Sequence, residues 1–538
     1  MTGKIGRKRR LVGLVAVCLA AVCLLGGCGD DGTGKGFRFP LEAEPAQLDP
    51  QVSADTASLT VLSALFEGLT QLDEDGNALP GAAEWTVSED GRVYTFTLRE
   101  SYWSTVKVCG QETPWDEPTP VTADDFVFGM QRAVSPQTGC PLAGELRGIR
   151  NAAAILEGKK DASALGVKAL DETHLQITLT APDADFPVKL ASPPFMPCNR
   201  EFFTYTGGRY GIEKVYVLTN GAFALTAWNK GDSLLLHKNE FYHAAQAVCP
   251  QAVRFVLNTE DPVAQLRGGT LDAAPLTAAQ AQTLTDAGMT PVILQDQVRG
   301  VLLNTRDAVL CEANVRRALR DAVEWSAIYT YLEQAGETVA TGYVAPDARG
   351  DRTAVTRFST AVGAAQTSLG KGLAALYPKE KAPALPTLTV LAADDEHSAN
   401  LARYLVQSWQ KNLKLYCTMT LISESRLAAR VRSGDYQVAI AAHPASGLTA
   451  AENLHAFATG AAENVTGFSS AALDAALKKS DVPAVEGILR QECPLLPLTF
   501  PRRYYGVAAN TQDIEVRPFG GGAAGATVGF LQAKKWDK

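Results

Sequence analysis

Residues 11–25 are the one long apolar run in this chain, and no later stretch reaches 18 consecutive apolar residues. Fifteen residues rise about 22 Å as a helix, short of the roughly 30 Å of a bilayer core. A basic segment precedes the run (residues 4–10, KIGRKRR), residues 1–27 contain no Asp or Glu, and Gly26-Gly27-Cys28 follows. That order reads as an export signal over residues 1–27. Everything after it has to bury its apolar surface by folding in water.

Leu25-Gly26-Gly27-Cys28 resembles the lipobox of bacterial lipoproteins. The resemblance implies cleavage before Cys28 and acylation of that residue, so that lipid holds a soluble body at the membrane, each buried CH₂ contributing about 0.8 kcal/mol. Residues 28–36 then read as the lipidated Cys and a flexible Gly-rich tether. Of 538 residues, 46% are hydrophobic and 20% charged, ordinary for a globular chain long enough for two or three domains. Five of the 50 basic residues lie in the first ten positions, leaving 45 against 58 acidic ones. A net −13 excludes a basic footprint for nucleic acid.

Cys18 and Cys23 leave with the signal, and seven cysteines remain beyond Cys28: 109, 140, 198, 249, 311, 417 and 493. None forms a CxxC pair, so zinc and thioredoxin-type sites lack their spacing. Cys109 with Cys140, and Cys198 with Cys249, are plausible disulfides in an exported protein, and buried thiols are the equal alternative.

Strand and helix patterns alternate along the chain. Residues 92–98 (RVYTFTL) and 174–179 (HLQITL) alternate in period two and predict half-buried strands. Residues 122–132 predict a helix with Thr122 as cap, Asp124 and Asp125 at the positive end of its dipole, and Phe126, Met130 and Ala133 on one face. Residues 314–331 carry helical spacing throughout and predict one helix. A strand at 386–392, a helix at 398–413 and a strand at 437–441 follow, while 347–381 reads as surface helix and loop. The fold class is mixed α/β with more than one lobe.

Enzyme signatures are missing: there is no GxSxG, HExxH or GxxxxGK[ST]. Ser104 and Lys107 satisfy SxxK but lack the helix start and the KTG partner that the penicillin-binding signature requires. Six histidines never stand at i, i+2 or i+4, so no metal face is preformed. The acidic run Asp394-Asp395-Glu396-His397 reads as a solvated turn in preference to a cation site. No catalytic residue, metal or cofactor is expected.

Several stretches in order resemble family 5 solute-binding proteins of ABC importers, the oligopeptide- and dipeptide-binding lipoproteins. They are 48–50 (LDP), 65–69 (LFEGL), 80–85 (PGAAEW), 88–91 (SEDG) leading into the strand at 92, Trp103-Ser104 and 120–127 (PVTADDFV). Residues 165–171 (LGVKALD), 219–223 (TNGAF) with Trp228, and 303–305 (LNT) leading into 314–319 (NVRRAL) complete the set. The resemblance implies a two-lobed periplasmic-binding-protein-like clamshell with an extra domain. Domain I would comprise 36–70, 184–297 and 485–538, the inserted domain II 71–183, and domain III 298–484. The chain would cross between lobes near Val298 and Asp481, and those crossings would be the hinge.

By position, the resemblance places ligand contacts at Ala54, Asp55, Thr56 and Ala57 on one edge and at Ala441, Ala442, His443 and Pro444 on the other, with Asn220 nearby. It implies a peptide or peptide-like ligand paired by main-chain strand addition, permease subunits as partners, and a monomer. There are departures: peptide-binding members carry an Asp after the strand at 437–441, and here no carboxylate follows before Glu452; a Trp often found near the position of Ser425 is missing, and the segment before Cys493 is shorter than usual. A non-peptide solute such as a metal chelate, haem or glycan, and a sensory lipoprotein without uptake, therefore stay open.

Overall fold

A computed structural model describes residues 36–53, 55–73, 77–107, 112–183, 186–348, 350, 357–443, 449–461, 463–516, 528–529, 531 and 534–535. Cys28, Ala54, Cys109 and Pro444 lie outside the described residues. Among the described residues no helix is long and apolar enough to cross a membrane.

Three larger sheets organise the chain. The first runs Phe37–Pro40, Ala252–Val256, Ser233–Lys238, Phe223–Asn229, with only the first pair parallel. The second, antiparallel throughout, runs Ala83–Val87, Val93–Leu98, His174–Thr178, Val167–Ala169. In Val93–Leu98 the alternation puts Tyr94, Phe96 and Leu98 inside. Both sheets share one apolar cluster, joined by the helix Ala123–Val134. That helix starts where the sequence predicts: the Asp125 carboxylate accepts the Thr122 N–H at 2.9 Å and the Trp103 indole N–H at 3.1 Å. Phe126, Met130 and Ala133 are fully buried beneath it. Gly129 is required in the same helix, since a Cβ there would stand 2.2 Å from the Met196 carbonyl oxygen.

The third sheet has six strands, in the order Thr338–Val339, Leu495–Phe500, Val298–Leu303, Val438–His443, Leu388–Ala393, Cys417–Ile422. Its inner strands are largely apolar because both faces are covered. Val298, Leu302, Leu391, Ala393, Ala439 and Ala441 enter one core, while Val301, Leu303, Val390, Ala392, Val438 and Ile440 enter the other.

A small sheet made of Ala273–Leu276, Arg503–Val507 and Val292–Leu294 packs on the first body through Ala273, Leu294 and Tyr505. The chain passes from it to the six-stranded sheet at 295–297 and returns at 501–502. Residues 485–500, expected in domain I, therefore belong with the second body. Leu495–Phe500 is wholly buried and pairs with Val298–Leu303, and Val485 and Leu489 pack in the same core. The return crossing follows Phe500, not Asp481.

One further expectation fails. Residues 314–331 form two helices, Ala313–Asp321 and Trp325–Gln334. The break is fixed by the Ser408 hydroxyl, which accepts the Glu324 N–H, and by the Trp325 indole, which donates to the Arg320 carbonyl. Cys198 and Cys140 are free thiols, so of the two readings left open for these cysteines the thiol holds. The Cys198 sulfur instead accepts from the Arg132 guanidinium at 3.3 Å, and burial pushes its thiol up to about 12.

Candidate functional site

Both crossings attach to the same end of the six-stranded sheet, the end where Val298–Leu303 begins and Leu495–Phe500 stops. Val438–His443 and Leu388–Ala393 also finish at that end, so the carboxyl ends of two neighbouring parallel strands face the first body. Ligands of open α/β sheets bind at such strand ends.

The pairing of those two strands is short. Val438 and Ala439 oppose Val390 and Leu391, and the register goes no further. On its other side Val438–His443 is paired along its whole length with Val298–Leu303. Asn304 donates its N–H to the Gln437 carbonyl, so odd-numbered residues turn their amides to Val298–Leu303 and even-numbered ones turn away. Ala442 is therefore the residue whose N–H and C=O face the gap. Ala441 and His443 spend theirs on the neighbouring strand. The His443 ring is buried and stacked on Phe457, with centroids 4.0 Å apart and planes 13° apart.

Charged side chains surround this strand end. Arg299, opposite Ala442, donates to the Ser398 hydroxyl. Asp395 caps the helix Glu396–Leu413 by accepting the Ser398 N–H at 2.8 Å. His397 lies 2.8 Å from the Glu337 carboxylate and stacks on Tyr331. Burial raises the Glu337 carboxyl, but the His397 contact and the Arg299 charge outweigh it and hold it below its ordinary range. Among the described residues no group of three or more His, Cys, Asp or Glu could hold a metal ion. The acidic run at 394–397 is thus a helix cap and an ion pair. Sequence reading missed Arg299 and Glu337, because only the fold brings them to His397; an Arg in an otherwise apolar strand was the available signal.

The opposite edge is built on a buried ion pair. Arg132 donates to both Asp49 carboxylate oxygens, at 2.7 and 3.3 Å, and to the Gln51 side-chain carbonyl at 2.7 Å. The Asp49 main chain and side chain hold residues 51–53 in a turn, and Ser53 donates back to Gln47. This fixes the approach to Asp55, whose carboxylate accepts the Ser58 N–H at 2.8 Å and caps the helix Thr56–Leu65. Thr56 and Ala57 are helical, so they cannot continue an extended ligand-pairing edge; that role could extend only up to Asp55, whose backbone is extended.

Asn220 lies elsewhere. Its amide accepts the Glu67 N–H at 3.2 Å and donates to the Glu67 carbonyl at 2.9 Å, fully buried, just past the far end of that helix. Ten helical residues span about 15 Å. Asn220 staples a loop and does not join Asp55. Ser104, from the SxxK pattern, is also buried and bonded to Thr219, so it is structural.

Two α/β bodies joined by two adjacent crossings, with strand ends open toward the crossings, define a solute receptor of the clamshell class. Residues 80–464 match the model of the bacterial extracellular solute-binding proteins, family 5 (middle). The chain belongs to that family. It is 28% identical over 483 residues to YgiS of Escherichia coli K12, a probable deoxycholate-binding periplasmic protein, covering 86% of this chain and 88% of that one. With the oligopeptide-binding protein OppA of Bacillus subtilis it shares 27% identity over 449 residues, 79% of each. The structure of Listeria monocytogenes OppA bound to peptide superposes with a TM-score of 0.73 at 23% identity, covering 93% of this chain and 99% of that one.

Proposed function

We propose that this protein captures peptides or peptide-like solutes between its two bodies and delivers them to an ABC importer, held at the membrane by lipid on Cys28. The observation that carries the ligand reading is the open side of Ala442. A strand end whose main chain faces a gap, at the mouth of a two-body fold, suits an extended peptide paired by strand addition. Ala441, Ala442 and His443 form one wall, Pro444 following them. Asp55 belongs to the other, with Thr56 and Ala57 supporting it from the helix. The three-domain division, with 71–183 inserted in the first lobe, is part of this reading. Closure would bend the chain at 295–297 and 501–502.

The relatives' names support peptide capture, and the likeness to YgiS together with the missing carboxylate before Glu452 favours one second reading, a non-peptide carboxylic amphiphile. Mass spectrometry of solute released by denaturing the purified chain separates them. Peptides of mixed sequence are expected. A single sterol-like or other non-peptide species would replace the peptide reading with the second.

A further inference from the structure

A cavity of about 230 Å³ opens in the second body beside Pro497, just beyond Thr338–Val339. Pro497 is three residues from Phe500, so the cavity lies about 10 Å deeper than the strand end that faces the first body. Val298–Leu303 separates Leu495–Phe500 from Val438–His443, so the cavity is also apart from the Ala442 gap. Four of its side chains form two cation–ring pairs. The Arg357 guanidinium sits over Tyr329, 5.3 Å from the ring centre, and that of Arg490 over Phe358 at 4.6 Å. Among the described residues the wall carries no carboxylate. Glu333, which accepts from Arg357 at 2.8 Å, and Glu486, which accepts the Tyr343 N–H at 2.9 Å, are outside it.

The fifth side chain is Tyr343, 3% exposed and set edge-on to Phe457. Its hydroxyl is buried and has no hydrogen-bond partner among the described residues. Burial pushes the phenol well above its ordinary value, against the pull of the Arg490 and Arg320 charges, so the hydroxyl stays a proton donor. Buried donors are ordinarily satisfied, and this one lacks an acceptor in a wall that carries two guanidiniums. A guanidinium held over a ring presents its donors in its own plane, the fork that grips an oxyanion by two bonds. We infer that the cavity binds a small oxyanion, a phosphate or a carboxylate group, between Arg357 and Arg490 with the Tyr343 hydroxyl donating to it. An anion so placed ties three segments together: the one after Val339, the one before the helix Val362–Leu376, and the last turn of the helix Val482–Glu492.

Calorimetric titration of the full-length chain in detergent, at low ionic strength and with no other oxyanion in the buffer, tests this with inorganic phosphate and with acetate. One of the two, or both in competition, should saturate a single site. Tyr343→Phe, which removes only the hydroxyl, should weaken that binding about tenfold, the loss of one hydrogen bond to a charged group. Arg490→Met should abolish it; should that variant fail to fold, Tyr343→Phe decides alone. Lys159→Met, at an exposed ion pair of the first body, should leave it unchanged. Tighter binding of phosphate assigns a phosphate-type ligand, and tighter binding of acetate a carboxylate. No saturable binding of either anion overturns the proposal. So does wild-type affinity in Tyr343→Phe, or a loss in Lys159→Met as large as that in Tyr343→Phe.

Discussion

Asp296 and Arg503 lie on or beside opposite crossings between the two bodies, and their side chains close a two-pronged ion pair across them. The Arg503 Nε donates to Asp296 Oδ1 at 2.9 Å and a terminal nitrogen donates to Oδ2. Asp296 is buried, Arg503 a quarter exposed. Beside them the Gln295 side chain donates to the Phe500 carbonyl and to Thr338, and its main-chain N–H donates to Asp347. The two crossings are thereby tied to each other.

Asp296→Asn leaves the guanidinium without its carboxylate. Breaking a buried pair costs about 3–5 kcal/mol, and the partial exposure of Arg503 lowers this to about 2. A corresponding fall in the denaturant midpoint is expected. Small-angle scattering should also show a broader spread of sizes without solute. An unchanged midpoint and scattering profile would mean the pair does not hold the crossings.

Arg132→Met keeps volume and removes the donors that Asp49 and Gln51 share. About 3 kcal/mol of stability should be lost in chemical unfolding, because a buried carboxylate is left unpaired. Solute affinity should fall further than the midpoint suggests, since residues 51–55 lose their support.

Ala442→Pro deletes the N–H that the Val438–His443 strand turns to the gap. Loss of a main-chain hydrogen bond to ligand, about 1 kcal/mol, should weaken binding of a co-purifying peptide by roughly five- to tenfold in calorimetry. The melting temperature should hardly move, because the strand's other side carries its sheet pairing. Equal affinity in the two proteins would remove strand addition at this edge.

Burial pushes the Asp125 carboxyl up to about 6, against the opposing pull of the Thr122 and Trp103 donors. Folding therefore favours its protonated form. That contribution is complete below the unfolded value near 4, is lost as pH rises through 6, and is worth about 3 kcal/mol. Asp125→Asn should flatten stability between pH 4 and 6. A slope identical to that of the wild type would assign it to another group.

Local pattern carried most of the elements. The strands near 93, 174, 388 and 438 and the Thr122 cap follow from periodicity and capping chemistry, which depend on near neighbours. What failed depends on distant partners. The 314–331 pattern holds no break signal; Ser408, 84 positions from Glu324, supplies it. Asn220 shares its motif with a cleft position but is spent on Glu67. Leu495–Phe500 looks like any buried strand, and only its pairing with Val298–Leu303 places it in the second body.

Cys28→Ala should release the chain from the membrane fraction, checked by sedimentation and immunoblot after signal removal. Retention at the membrane would require another attachment.

The position of Leu495–Phe500 between Thr338–Val339 and Val298–Leu303 bears on how the chain is made. A polypeptide emerging amino end first presents 298–443 long before residue 495. Until then the Val298–Leu303 strand has one bare flank and a half-built core on each face. The second body cannot finish folding until that last strand is available to pair. The interval before residue 495 emerges is therefore the one in which the second body stays open to aggregation and to factors that hold unfolded chain.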